Sequence, residues 1–126
     1  MITTEFQPLI RLIRDDAYVD TSIIQPEEGW LDTQGFRNMQ LRTHVLYLSG
    51  TQSLYLETCD ILDGSWERLT SVTSGGSSVA SDAFYTADRP KSEYQRMRRY
   101  IRWRWADFTG GGPYEICFRM AAVLKR

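Results

Sequence analysis

A chain of 126 residues with 42% apolar content is one domain of ordinary size, able to bury a core and well outside the disordered range. Its formal net charge of −1 gives the molecule no electrostatic reason to seek nucleic acid or an anionic membrane. Two cysteines, Cys59 and Cys117, are too few for a disulfide scaffold, and the longest purely apolar run, Met120 to Leu124, is far too short to span a bilayer.

Met1 to Pro8 has no basic region followed by an apolar core, so no secretory signal is expected and the chain is expected to be made in the cytoplasm. Phe6 to Val19, with Leu9, Ile10, Leu12, Ile13, Tyr18 and Val19, reads as an opening strand or pair of strands. A short helix across Pro8 to Arg14 fits the same apolar run. Gln25 to Gly29 is a loop, and Trp30 and Leu31 follow as core anchors. Phe36 to Ser49 carries Met39, Leu41, Thr43, Val45 and Tyr47 on one parity and Leu46 and Leu48 on the other. That is the pattern of a central strand covered on both sides near its end.

Gly50 breaks that strand, and Ser53 to Thr58 is the next, with Leu54 and Leu56 inward. Asp63-Gly64 is the strongest hairpin dipeptide in the chain, and Trp66 to Val72 is the returning strand. Thr73 to Ser78 is a Ser/Gly-rich loop. Phe84 and Tyr85 form a short strand or anchor, and Ala87 to Ser92 is a charged loop around Pro90.

The clearest pattern comes last. Ile101, Trp103 and Trp105 alternate with Tyr100, Arg102 and Arg104, and Tyr114, Ile116, Phe118 and Met120 alternate with Glu115, Cys117 and Arg119. Period-two alternation marks strands with one buried face. Thr109 to Pro113, with three glycines and a proline, cannot continue a ladder, so the two strands are expected to pair as a hairpin at the heart of the core. Seven of the sixteen aromatic residues lie between Tyr94 and Phe118, which places the core there as well. Taken together these signals predict an all-β chain: a single β-sandwich or jelly roll, 1–126, of seven or eight antiparallel strands.

Charge is unevenly spread. Seven acidic residues lie between Met1 and Gly35 against Arg11 and Arg14, and seven basic ones between Arg89 and Arg104 against Glu93 alone. Pairing of the two regions within one fold is the simpler expectation; an acidic surface on one copy meeting a basic surface on the next is the sharper one.

Catalytic signals are scarce. His44 is the one histidine and sits in a predicted strand without an evident orienting partner. No His/Cys set has zinc spacing, no Gly-x-Ser-x-Gly elbow activates a serine, and no Lys-Ser/Thr follows Gly110 to Gly112. Asp60, Asp63 and Asp107 lack the dense spacing of a calcium loop and read as turn residues. No enzyme activity, cofactor or metal is expected. The Arg/Trp strand is the feature suited to contact, with Arg96, Arg98, Arg99, Arg102 and Arg104 as the expected interface.

Arg99-Tyr100-Ile101-Arg102, a Gly-rich loop, and Ile116-Cys117-Phe118-Arg119-Met120 resemble the closing unit of galactose-binding-like, discoidin-type jelly rolls. Leu54-Tyr55-Leu56-Glu57-Thr58, Asp63-Gly64-Ser65 and Trp66-Glu67-Arg68-Leu69 are similar to their central strand, Asp-Gly turn and Trp strand. These segments cover about half the chain. Secreted discoidin domains carry a signal and a terminal disulfide, which Cys59 and Cys117 do not match, and their ligand-binding spikes have no counterpart here. A small, signal-free version more closely resembles the jelly-roll proteins that decorate or cement the heads of tailed bacteriophages.

That resemblance implies a non-enzymatic virion protein, made in the host cytoplasm and resident in the virion. It would bind the major capsid protein or other virion subunits and further copies of itself, without nucleic acid or membrane. Met1 to Gln7 would be an arm ordered by a neighbour. The competing expectation is a carbohydrate-binding module in which Trp30, Trp66 or Tyr85 supplies an aromatic platform near loop ends.

Overall fold

The structure is a computed structural model that describes residues 1–14, 22–61, 64–73, 79–86, 96–109 and 113–126. Tyr18, Val19, Asp63, the Ser/Gly-rich loop at 74–78, the charged loop at 87–92 and Gly110 to Gly112 lie outside the described residues. The strands are β1 (Ile2–Arg14), β2 (Ile23–Ile24), β3 (Leu31–Asp32), β4 (Asn38–Ser49), β5 (Thr51–Cys59), β6 (Glu67–Thr73), β7 (Val79–Thr86), β8 (Tyr100–Thr109) and β9 (Tyr114–Lys125). The one helical element among the described residues is a 3-10 turn, Glu27–Gly29.

The strands form two antiparallel sheets, one ordered β1-β9-β4-β7 and one ordered β2-β8-β5-β6 with β3 also on β8. The fold is a β-sandwich. The chain changes sheet between β1 and β2, β3 and β4, β4 and β5, β6 and β7, β7 and β8, and β8 and β9. Its first strand lies beside its last, Ile2 opposite Leu124. This alternating path is the wiring of a jelly roll.

The wiring corrects one expectation. β8 and β9 are not a hairpin; they belong to different sheets and face each other across the core. Trp103 meets Phe118 edge-to-face at 5.2 Å, and Phe108 meets Tyr114 at 5.1 Å. The physical reason is the breadth of the two apolar faces. Ile101, Trp103 and Trp105 on one strand and Ile116, Phe118 and Met120 on the other are all at most 2% exposed. Such faces bury more area when opposed than when side by side on one sheet. β5 and β6 do pair as consecutive strands, from Ser53↔Thr73 to Thr58↔Glu67 with a register shift between Leu56 and Glu57.

Two further expectations shift. Residues 2–7, expected as an arm, lie in β1, the outer strand of the four-stranded sheet, paired with β9. β4 is central, between β9 and β7, but its far end is not covered on both sides. A register shift between Val45 and Tyr47 turns Tyr47 outward (50% exposed), and Leu46 at the shift is 41% exposed. Gly50 then carries the chain from one sheet to the other at φ +90°, where a Cβ would stand 2.7 Å from the Tyr114 ring. Glycine is required there on both counts.

The core tryptophans bring polar nitrogens inside, and buried glutamines meet them. Trp103 Nε1 donates to Gln7 Oε1 at 2.8 Å, and Trp105 Nε1 donates to Gln52 Oε1. Gln52 Nε2 in turn donates to the carbonyls of Ser49 and Glu115. Each indole is thereby accommodated without an unpaired buried donor.

Candidate functional site

β2 and β3 are two halves of one strand beside β8, at Ile23↔Trp105 and Leu31↔Ile101, interrupted by an excursion of residues 25–30. Gln25 pins the excursion. Its buried amide donates to the carbonyls of Phe6 (3.0 Å) and Gly29 (2.8 Å), and its Oε1 accepts from the Trp103 backbone N–H. Trp30 closes it by donating Nε1 to the Gln25 carbonyl at 2.7 Å. The excursion carries Trp30 out of the core expected for it and onto the outer side of the five-stranded sheet.

There Trp30 meets Trp66 edge-to-face at 4.9 Å, and both rings cover the Arg102 guanidinium, at 5.2 Å and 3.9 Å. Beneath this cover, Arg102 Nε donates to Glu57 Oε1 at 3.1 Å and Arg104 Nε to Glu57 Oε2 at 3.0 Å. The Glu57 side chain is 8% exposed and that of Arg102 is 12% exposed, so this half of the ion triad is largely shut from water, while Arg104 at 28% keeps an edge to it. Arg104 stacks on Tyr55, which Arg68 also approaches, and Tyr55 donates its hydroxyl to Asp107. Asp107 sits at φ 59°, the other side of a bulge between β5 and β8.

The remaining arginines of the expected interface are placed as follows. Arg98 reaches Asp60 and Glu67, and Arg99 forms two parallel bonds of 3.1 Å to Asp32. The hydrogen bond to Asp60 first, then Glu67, holds the Arg98 guanidinium more firmly protonated, as Asp32 does for Arg99. Arg99 in return lowers Asp32 below the ordinary carboxylate range. Arg96 is exposed, next to residues outside the described set. The basic stretch does therefore pair within the fold, but chiefly with Glu57, Asp60 and Glu67. Arg99–Asp32 joins it to the acidic N-terminal third.

The three residues of the aromatic platform do not come together. Tyr85 is on β7, in the other sheet, and 6% exposed; burial raises its phenol above the usual range, with Thr70 partly opposing. Trp30 and Trp66 do meet, but at 70° and against Arg102, so they present no flat shared surface. Asp60 and Asp107 are held by separate partners, and no group of three metal-ligating side chains is found among the described residues. Both cysteines are free thiols, Cys59 buried and Cys117 half-buried.

The structure brings forward a surface that sequence reading missed: the outer face of the four-stranded sheet. On its inner strand β9, Cys117, Ala121 and Val123 are small, outward and half-buried. Around them stand exposed apolar side chains, Leu9 and Ile13 on β1, Leu46 and Tyr47 on β4 and Phe84 on β7, the last 65% exposed. Arg11 pairs with Glu115 across β1 and β9, which keeps its guanidinium firmly protonated. Arg119, opposite His44 in the register, is exposed and has no partner among the described residues. The sequence signal was available in the apolar residues on both parities of β1 and β4; in β4 they read as two covered faces when one of them is open.

Comparison with family models, with curated proteins and with solved structures finds no match for this chain.

Proposed function

We propose that this protein is a non-enzymatic assembly subunit, a decoration or cement protein of a tailed-phage head. The observation that carries the reading is the division of labour between its two outer faces. The arginine–tryptophan face is closed on itself, its charges neutralised by Glu57, Asp60, Glu67 and Asp32. The other face is left open, with five large apolar side chains exposed on β1, β4 and β7. An open apolar sheet face rimmed by polar groups suits a protein partner, and jelly-roll wiring suits a subunit of a shell, an analogy of fold.

The contact face in this reading is the four-stranded sheet, in place of the β8 arginines. Its test is composition. Particles banded from lysates of cells that encode the chain should contain it in fixed ratio to the shell protein. Tyr47→Ser with Phe84→Ser should reduce that ratio while leaving the purified protein folded. Particles free of the chain would overturn the proposal.

A further inference from the structure

The open face has cationic and apolar character together, and a second place on the same molecule has the opposite sign. Glu27 and Glu28 lie in the 3-10 turn of the excursion at the β2–β3 edge, both exposed and with carboxylates that have no ionic or hydrogen-bonding partner among the described residues. Ile24, 41% exposed, and exposed Pro26 flank them. On the four-stranded sheet, Arg119 stands without a partner among the described residues, with exposed Leu9 and Tyr47 on the neighbouring strands and Ala121 two residues along. An acidic knob with apolar flanks and a basic, apolar, shallow face are complementary in both respects.

Two of the four sheet edges are obstructed to strand pairing between copies. Pairing through the β1 edge meets Pro8 and two register shifts, at Thr4/Gln7 and Gln7/Ile10; pairing through β2–β3 meets the excursion itself. Both are devices that discourage strand addition. A net charge of −1 leaves little repulsion between copies.

We infer that a second copy of this chain occupies the open face, seating its Glu27–Gly29 turn on the Arg119 region. The inference rests on the reading of that face as an assembly surface and names what sits on it. Because knob and face are different parts of one molecule, the contact is heterologous: copies join head to tail, closing as a ring or continuing as an array.

The test is a charge swap, read as solution mass by light scattering over a concentration series at low and high salt. Wild type should associate with rising concentration, less so in high salt. Arg119→Glu alone, and Glu27→Lys with Glu28→Lys, should each weaken association by about tenfold or more. An equimolar mixture of the two reversed variants should associate again, since each supplies the sign the other lacks. Circular dichroism of each variant controls for folding.

A wild type that stays monomeric at the highest concentration reached, or reversed variants that associate as wild type does, would overturn the inference. So would a mixture that fails to recover. Particle composition separates this from the proposed function. A monomeric protein present in particles leaves the head-protein reading standing, whereas head-to-tail oligomers absent from particles leave the self-contact standing without it.

Discussion

The Trp103 indole and the Phe118 ring meet edge-to-face at 5.2 Å across the middle of the sandwich, from strands that share no hydrogen bond. This contact, with the Trp103–Gln7 bond beside it, ties the two sheets together. Trp103→Ala should cost about 3–5 kcal/mol, as large aromatic truncations in closed cores do. Trp103→Phe keeps most of the ring but leaves the Gln7 carbonyl oxygen without its donor, so it should cost about 1–3 kcal/mol. Denaturant unfolding with an unchanged slope is the measurement. A neutral Trp103→Ala would mean the sheets are held elsewhere.

Gln25 is one side chain serving three backbone groups, on Phe6, Gly29 and Trp103. Gln25→Leu should therefore destabilise by about 2–3 kcal/mol, because buried polar groups lose their partners at once. Amide exchange should accelerate at Trp103 and in the excursion well before β9. Gly29→Ala tests the same pin from the other side, since its Cβ would lie 2.9 Å from Gln25 Nε2. Uniform acceleration throughout the sandwich would contradict a local role.

Glu57 holds two guanidinium groups, Arg102 under two indoles and Arg104 over Tyr55. Glu57→Ala should cost about 3–5 kcal/mol, since it leaves buried charge of one sign. Replacing the triad together, Glu57→Leu with Arg102→Met and Arg104→Met, should cost far less than the single change. A mild Glu57→Ala would show that water already reaches the triad.

The pair of Asp32 and Arg99 gives an acid-sensitive contribution. The Asp32 carboxylate is lowered, first by its hydrogen bond from Arg99. A group depressed in the folded state stabilises above its unfolded pKa and loses that contribution as pH falls through the folded value. Stability should thus be flat near neutrality and fall in the acid range, with Arg99→Gln shrinking the Asp32 part. The carboxyl carbon shift of Asp32 against pH is the direct readout; an ordinary titration in wild type would sink it. Tyr85 runs the other way: raised by burial, it stabilises at neutral pH and loses that contribution as pH rises past the ordinary tyrosine range.

Sequence periodicity was enough to identify β8 and β9 and their inward faces, because Ile101, Trp103 and Trp105, and Ile116, Phe118 and Met120, each repeat every second residue. It could not tell a hairpin from a sheet crossing. Alternation states that a strand has one buried side, and a Gly-rich link permits either geometry; the choice is made by the other strands. The β5–β6 pairing was legible through its Asp-Gly dipeptide. The Glu57 triad was not, since an outward glutamate on β5 is buried only where Arg102 and Arg104 arrive from β8 and Trp30 from the excursion joins Trp66 over Arg102. The open face was concealed for a related reason: whether an apolar residue on the second parity is covered depends on what the fold places over it, and Tyr47 has nothing there among the described residues.

The position of β9 between β1 and β4 has a consequence for how the molecule is made. During synthesis β9 follows every other strand, so neither β1 nor β4 can complete its ladder on that side until it emerges. Of the pairings described, β5–β6 joins consecutive strands and can form early on the ribosome; the others await distant partners, a slow arrangement for a chain of this size. A nascent chain stalled before Tyr114 would leave the inner faces of β1 and β4, including Phe6, Met39 and Leu41, open to solvent and to chaperones.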